Sequence, residues 1–248
     1  MVAMADIADY GENSRLGDEV YLGEPPAPPK EYYKAVVGII ESFCLDPAFS
    51  LLDVGCATGS FLATINGRWP RARMTGMDIH SDLLERAAAS VAGADFITGS
   101  VLAADPALRD RFDVVTMMGV VSIFDDPTPA IANALSYTKP GGRVVIFTQT
   151  NDLPVDVLVR FALVEESERD KSWRTGLNVH SIATFERIRE AVDPRAKSLW
   201  VDFVMPFPLD YKAPLRAWTT RVGDDPHAHI NGLRMVPLMK IWVIERPS

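Results

Sequence analysis

The residues best suited to chemistry begin with a carboxylate placed directly before a glycine-rich turn. The stretch "SLLDVGCATGSFLATI" runs from apolar residues into Asp53, and Gly55, Ala57 and Gly59 follow before a helical pattern starts. Glycines at the end of a strand let the backbone approach a ligand closely and present main-chain N–H groups to it. Many nucleotide-binding proteins share such a turn, so the acid in front of it must indicate which ligand binds.

The charge of Asp53 favours a cationic ligand. A carboxylate would repel the pyrophosphate of a nicotinamide dinucleotide, but it would attract the ammonium and sulfonium groups of S-adenosylmethionine. The dinucleotide fingerprint also requires glycine, and glycine or alanine, at the positions of Ala57 and Ser60. These residues favour S-adenosylmethionine and leave an NAD-dependent oxidoreductase as the alternative.

A second acid, Asp78, ends the next apolar stretch, nineteen residues after Gly59. A carboxylate at this place can accept two hydrogen bonds from the hydroxyls of a ribose, which both cofactors contain. The alternative is that Asp78 only stabilises the N-terminus of the helix that follows. Given the first motif, we expect ribose binding.

Alternating strands and helices must position these acids. A helix starts at Lys30 and ends before Asp46, where a proline follows. The sequence then predicts strands at 50–54, 73–78, 94–98, 112–118, 143–148, 198–205 and 238–245, and helices at 58–66, 81–91, 128–138, 156–166 and 181–192. Ser81 is the expected N-cap of its helix. Such alternation implies an α/β fold with a doubly wound, mostly parallel sheet.

Composition and charge exclude several classes of protein. The chain has 248 residues, is 48% apolar and carries a net charge of −8, which disfavours a nucleic-acid partner. Cys44 and Cys56 stand at unrelated positions, so we expect no disulfide framework and a cytoplasmic location. The N-terminus does not resemble a secretory leader. The longest apolar run, 114–124, is too short to span a bilayer, so we expect no association with a membrane.

Four successive stretches carry a resemblance to a known family: "LLDVGCATG", "MTGMDIHSDLLERA", "FDVVTMMGVVSIFDDP" and "YTKPGGRVVIF". In order and spacing they resemble the motifs of class I S-adenosylmethionine-dependent methyltransferases, over residues 36–150. The resemblance implies a Rossmann-like sheet of seven strands in which 198–205 and 238–245 are the sixth and the seventh. It also implies that the seventh strand is antiparallel.

The same resemblance implies the cofactor contacts. Asp53 lies at the methionine end, Asp78 binds the ribose, Ile79 packs on the adenine, and Met118 and Gly119 lie near the methyl group. The complete predicted set is Asp53, Gly55, Cys56, Ala57, Gly59, Asp78, Ile79, Ser100, Val101, Met118 and Gly119.

Two positions depart from the family pattern. Ala57 replaces a glycine that many members have, and the added methyl group should have a small effect. Ser100 and Val101 stand where many members have an acid that binds the adenine amino group. A serine hydroxyl accepts a weaker hydrogen bond than a carboxylate does, so Asp105 is an alternative partner.

His180 is the candidate catalytic base. It stands in "TGLNVHSIATF", between the fifth and sixth strands, where the family forms its substrate wall, and an oxygen nucleophile benefits from a base. The alternative is a surface residue near a helix start. His227 and His229 are spaced i, i+2 beside two acids without a firm third ligand, so we expect no metal site.

The expected organisation is an N-terminal arm at 1–29, able to cover the cofactor, and a single domain at 30–248. Its cofactor half is 36–150 and its substrate-facing part is 151–248. Arm tyrosines such as Tyr10 and Tyr21 are candidates for a lid, and a homodimer is compatible with the sequence.

The expected reaction is methyl transfer to an oxygen of a small polar metabolite, with nitrogen as the second choice. A sugar or nucleotide-linked sugar is one candidate, because the C-terminal segment resembles that of methyltransferases from sugar gene clusters. An anionic acceptor is another, because basic residues outnumber acidic ones from residue 187 onward. A cofactor-binding regulatory or scaffold protein without transfer activity remains the alternative from another class.

Overall fold

The computed structural model describes residues 29–161, 174–175, 177–206 and 237–248, and the fold is described for these. Most of the predicted arm, with Tyr10 and Tyr21, lies outside the described residues, and so do His227 and His229.

Ten strands and five α-helices occur in the described residues. The strands are β1 (Ser50–Val54), β2 (Arg73–Asp78), β3 (Ala94–Thr98), β4 (Phe112–Met118), β5 (Thr138–Asn151), β6 (Arg160–Phe161), β7 (Arg174–Thr175), β8 (His180–Ser181), β9 (Lys197–Asp202) and β10 (Leu238–Glu245). The helices are α1 (Glu31–Ser42), α2 (Ser60–Arg68), α3 (Ser81–Ser90), α4 (Thr128–Tyr137) and α5 (Ile182–Val192).

An eight-stranded sheet forms the centre, with seven strands in the order β3-β2-β1-β4-β5-β10-β9 and the short β8 beside β5. All pairs are parallel except those that β10 makes with β5 and β9. This arrangement confirms the doubly wound, mostly parallel sheet with an antiparallel last strand. Strand order reverses between β1 and β4, and ligands of such sheets bind in the crevice at their carboxyl ends.

Apolar residues bury both faces of the sheet, which is why its strands read as near-continuous apolar runs. All five residues of β1 are buried. Leu51 packs with α1 and α2 on one face, and Leu52 packs with α4 and α5 on the other. The ends of β1 and β4 are therefore held rigidly between two cores.

One predicted helix is wrong. Residues 156–161, the described part of the predicted 156–166 helix, form a bridge between Val157 and Val179 and then β6. The backbone N–H groups of this segment form hydrogen bonds with a neighbouring segment instead of within a helix. The Val157 N–H donates to the Val179 carbonyl at 3.0 Å, and the Val159 N–H donates to the Asn178 side chain at 2.8 Å.

Several boundaries also differ. α2 begins at Ser60 instead of residue 58, since Gly59 has a left-handed conformation (φ 78°). His80, not Ser81, is the N-cap of α3, without a side-chain hydrogen bond. β5 already begins at Thr138, and a register shift against β4 accommodates the glycines that were predicted to precede it. β9 ends at Asp202, short of the predicted 205.

No helix among the described residues is long and apolar enough to cross a membrane.

Candidate cofactor site

The turn after β1 has the positive φ angles that its glycines predict. Gly55, Ala57 and Gly59 have φ angles of 70°, 47° and 78°. The Gly55 N–H donates to the Met77 carbonyl at 2.7 Å. A Cβ atom on Gly55 would lie 2.5 Å from Cγ2 of Val120, so only glycine fits this position without movement. Ala57 also adopts the left-handed region, which explains why glycine suits its position.

Asp78 fastens this turn to the end of β2. Its Oδ2 accepts a hydrogen bond from the Ala57 N–H at 2.9 Å, and its Oδ1 accepts one from the His80 N–H at 3.1 Å. The residue is 8% exposed. Each carboxylate oxygen has two lone pairs, so both can still accept bonds from a ligand hydroxyl. Asp78 therefore combines a structural task with the capacity to bind a ribose.

Asp53 is a nearly buried acid at the carboxyl end of β1, only 2% exposed. Thr116 on β4 donates a hydrogen bond of 2.7 Å to its Oδ1. Burial raises the pKa of Asp53 to about 7, against the opposing effect of the Thr116 hydrogen bond and with a further contribution from the negative charge of Asp78. A cation bound beside Asp53 would stabilise its ionised form.

The pocket at this edge is formed by Asp53, the turn after β1 and the start of α1. Its lining residues are Lys30, Tyr32, Tyr33, Asp53, Gly55, Cys56, Ala57, Thr58, Ser60, Phe61 and Met118. Tyr32 is fixed by stacking on Phe147, with ring centroids 4.2 Å apart and planes at 3°. Of the residues predicted at the methionine end, Asp53, Gly55 and Ala57 line this pocket and Gly59 does not. The tyrosines of α1 form one of its walls, and cofactor binding by these residues stays a prediction.

A family model described as "Methyltransferase domain" matches residues 19–193. The chain belongs to this family. It is a class I S-adenosylmethionine-dependent methyltransferase, and S-adenosylmethionine is its cofactor. The residues fit that cofactor: a buried carboxylate for a cationic group, a second acid at the next strand end, and a glycine that permits close approach.

Two curated relatives illustrate the relationship. The trans-aconitate 2-methyltransferase of Azoarcus sp. (strain BH72) is 27% identical over 131 residues, which are 52% of this chain and 51% of that enzyme. The malonyl-[acyl-carrier protein] O-methyltransferase of Halalkalibacterium halodurans is 25% identical over 147 residues, which are 57% of this chain and 54% of that enzyme. The chain spans about half the length of the curated relatives it matches.

Among solved structures, the S-adenosylmethionine-bound amino pentose methyltransferase CalS10 of Micromonospora echinaspora has a TM-score of 0.54 at 17% identity. The match covers 99% of this chain and 98% of CalS10. At this identity the likeness supports the fold, which agrees with the sheet order.

The predicted adenine contacts follow along the same edge. Ile79 is 39% exposed directly after β2, as a stacking residue requires. The Ser100 hydroxyl accepts a hydrogen bond from the Leu102 N–H at 3.2 Å, and Val101 is buried. Asp105, the alternative partner, already accepts a bond from the Ala107 N–H at 2.9 Å and caps a 3-10 turn. Adenine binding by these residues stays a prediction.

Two further members of the predicted set have defined surroundings. Gly119 has a φ of 79°, and its N–H donates to the Phe147 carbonyl at 2.9 Å, which turns the chain after β4. Cys56 lines the pocket, but burial and the nearby carboxylates of Asp53 and Asp78 raise the pKa of its thiol. A thiol held in its protonated form is a poor nucleophile, so Cys56 contributes shape and not reactivity.

The structure does not bring His180 to the residues that line the pocket. The side chain is 2% exposed, and its Nε2 lies 2.9 Å from the Phe124 carbonyl oxygen, to which it can donate its proton. Thr150 donates to the His180 carbonyl at 2.7 Å. This geometry favours a structural role, and the catalytic role of His180 stays a prediction.

Sequence reasoning missed the polar residues that order the wall beside β5. The Asn178 side chain, fully buried, donates to the Phe124 carbonyl at 3.0 Å and to Asp125 at 3.1 Å. Gln149 donates to the Leu177 carbonyl at 2.7 Å. A signal was present, since polar residues interrupt the apolar run "VVIFTQTN" at its carboxyl end. Polar side chains at that end of a buried strand indicate a neighbouring backbone that needs partners.

No group of three or more His, Cys, Asp or Glu side chains among the described residues could hold a metal ion.

Proposed function

We propose that the chain transfers the methyl group of S-adenosylmethionine to a carboxylate oxygen of a small organic acid. The observation that carries this proposal is the distribution of charge around the pocket. Asp53 is buried at one side, and the exposed Lys30 is among the lining residues at the start of α1. A buried acid suits the cationic cofactor, and a lysine suits an anionic acceptor.

Lys30 is placed by aromatic neighbours that belong to the same pocket. Its Nζ lies 5.7 Å from the ring centroid of Tyr33 and 6.0 Å from that of Tyr32. Such contacts with ring faces favour an ammonium group. They place the Lys30 side chain beside the methionine end of the site, where an acceptor must arrive.

The chemistry of a carboxylate acceptor suits these groups. A carboxylate is ionised at neutral pH, so its oxygen can attack without prior removal of a proton. The bound cofactor supplies a methyl carbon attached to a positively charged sulfur. The residues of this chain would bind and orient: Asp53 and Asp78 hold the cofactor, Tyr32 and Phe61 exclude water, and Lys30 attracts the acceptor.

Two of the similar proteins support an acidic acceptor. One is named for trans-aconitate and the other is an O-methyltransferase named for malonyl-[acyl-carrier protein], and both names specify carboxylic acids. A sugar acceptor, by contrast, is supported by the fold likeness to CalS10 and by a short C-terminal resemblance.

The proposal is tested by incubating the protein with S-adenosylmethionine and separate acceptors, followed by mass spectrometry of the products. Trans-aconitate and other small di- and tricarboxylates should yield monomethyl esters, and neutral sugars should yield none. Methylation of neutral sugars alone would contradict the proposal. Turnover of no acceptor by a protein that binds S-adenosylhomocysteine would favour the non-catalytic alternative.

A matched pair of lysine variants tests the acceptor contact. Lys30→Gln should raise the KM for the acid about tenfold, since one charge pair near the surface is lost, and leave cofactor affinity unchanged. Lys34→Gln is the control, because Lys34 is exposed one turn away and pairs with Glu31 at 2.5 Å. Equal KM values for both variants would remove Lys30 from the acceptor site.

A further inference from the structure

The register of the sheet places a threonine directly beside the cofactor-facing acid. Asp53 on β1 is the partner of Thr116 on β4 in the parallel ladder. Thr116 is fully buried, and its Oγ1 lies 2.7 Å from Oδ1 of Asp53 and 3.3 Å from the Leu52 carbonyl oxygen. A hydroxyl has one proton to donate, so these two acceptors compete for it.

The charge of Asp53 decides the competition. When Asp53 is ionised, the hydroxyl of Thr116 gains most by donating to the carboxylate, because charge-assisted hydrogen bonds are stronger than neutral ones. When Asp53 carries a proton, its own O–H can donate to the oxygen of Thr116, and the threonine can donate to Leu52. Both protonation states are then satisfied inside the buried site, as buried polar groups require.

The groups around Asp53 come from four parts of the chain, namely β2, the turn after β1, the start of α1 and β4. Asp78 at the end of β2 and Cys56 in the turn are acidic groups. Lys30 stands before α1, and Tyr32 and Tyr33 on α1 complete the titratable lining. β4 contributes the neutral Thr116 and Met118. Burial together with Asp78 disfavours a charge on Asp53 when no cation is bound, whereas an ammonium group beside it reverses that balance.

We propose that Thr116 is the positioning residue that lets Asp53 change its protonation state, so that binding of the cofactor's ammonium group releases one proton from Asp53 to the solvent. This inference rests on the proposed function only in so far as Asp53 binds the cofactor, and it does not depend on the acceptor. The balance is simple: the Asp53 O–H bond breaks, the proton leaves to water, and the carboxylate pairs with the ammonium group.

The sign of the pH dependence follows. Burial, with a further contribution from the charge of Asp78, raises the pKa of Asp53 to about 7 when no cation lies beside it. The fraction of protein that must lose a proton on binding is therefore larger at pH 6 than at pH 8. Affinity should fall about tenfold for each pH unit below 7, because the bound state needs the ionised acid.

The test is calorimetry of the full chain with S-adenosylhomocysteine at pH 6 and pH 8, in buffers with different enthalpies of ionisation. The parent should release close to one proton at pH 6 and little at pH 8. Thr116→Val removes the hydroxyl that stabilises the carboxylate, so release should persist at pH 8 and affinity there should fall about tenfold. Thr116→Ser keeps the hydroxyl and should restore the parental profile.

Two controls separate this role from a structural one. Thr148→Val removes another fully buried hydroxyl, which donates to the Gln149 carbonyl at 3.1 Å, and should leave proton release unchanged. Asp53→Asn should abolish the release. A parent without buffer dependence, or Thr116→Val with the parental profile while folded, overturns the proposal. Failure of the parent to bind at either pH overturns the assignment of Asp53 to the cofactor as well.

Discussion

The main-chain N–H of Ala57 donates a 2.9 Å hydrogen bond to Oδ2 of Asp78. This bond joins the turn after β1 to the end of β2, the two places that the sequence marks as cofactor contacts. One carboxylate thus fixes the shape of the turn beside the pocket, so we expect cofactor binding and local order to depend on the same side chain.

Replacement of Asp78 should therefore affect both properties. Asp78→Ala should weaken binding of S-adenosylhomocysteine about tenfold or more, since it removes a charged acceptor, and it should also lower the free energy of unfolding. Calorimetry and urea denaturation measure the two effects. Asp82→Ala, four residues away on the exposed first turn of α3, is the control and should change neither. An unchanged affinity for Asp78→Ala would mean that the cofactor lies elsewhere.

Gly55 should be sensitive to the smallest substitution. In Gly55→Ala the new Cβ would meet Cγ2 of Val120 at 2.5 Å, and φ would remain at 70°. We expect a loss of stability of about 1–3 kcal/mol and weaker cofactor binding, as measured by thermal unfolding and calorimetry.

The neighbouring contact can be tested separately. Gly55→Ala combined with Val120→Ala should recover part of the lost stability, because the clash is relieved and the backbone strain remains. Gly38→Ala in α1 is the control, since no atom lies within 4 Å of its added Cβ, and it should be neutral or stabilising. Equal stability of Gly55→Ala and the parent would contradict the close packing of this turn.

Five strands could be predicted from the sequence because their residue patterns are strongly apolar, and two cores bury β1 and β4 from both sides. β1, β2, β3, β4 and β10 have the predicted bounds. β1 ends at Val54, directly after Asp53, and the other four end at Asp78, Thr98, Met118 and Glu245. The cofactor turn could also be predicted, because positions that need a positive φ favour glycine and the spacing of those glycines is recognisable in the sequence.

The wall beside β5 could not be predicted in the same way. Its order comes from long-range hydrogen bonds of Asn178 and Gln149, which depend on which segments meet in space. The segment that starts at Asp156 has a helical pattern, but strand pairing and the Asn178 side chain satisfy its backbone instead. The contact of Thr116 with Asp53 could not be predicted for a related reason, because it depends on the register of β1 against β4.

His180 offers a decisive contrast between a structural and a catalytic residue. His180→Phe should lower the free energy of unfolding by about 1 kcal/mol, because the buried Phe124 carbonyl loses one of its two donors and keeps only Asn178. The turnover of the folded fraction should stay near that of the parent. Urea denaturation and an assay at saturating acceptor measure the two quantities. A large loss of turnover with unchanged stability would instead establish His180 as the base.

Asp113 should make stability dependent on pH at the opposite end of the sheet. Partial burial alone would raise the pKa of Asp113, but hydrogen bonds from Lys139 at 2.8 Å and from Ser50 at 2.6 Å outweigh it, and the pKa lies below its usual value. A lowered pKa stabilises the folded state above the unfolded pKa of about 3.9, and this contribution is lost as the pH falls through the folded pKa.

Asp113→Asn should accordingly lower the free energy of unfolding by about 1 kcal/mol at pH 7. The difference from the parent should shrink below about pH 4, where the parent loses the same charge. Denaturation curves from pH 3 to pH 7 check both statements. Asp95→Asn, at an exposed position on β3, should show neither effect. A difference that stays constant down to pH 3 would contradict the ion-pair origin of the stability.

The most direct measurement of the central claim is calorimetric titration of the purified chain with S-adenosylhomocysteine, with NADH titrated in parallel and Asp53→Asn as the variant. Binding of S-adenosylhomocysteine in the micromolar range, weakened in the variant and absent for NADH, is the predicted result. Binding of NADH alone, or equal binding of S-adenosylhomocysteine by the parent and the variant, would contradict the assignment of the β1 edge as the cofactor site.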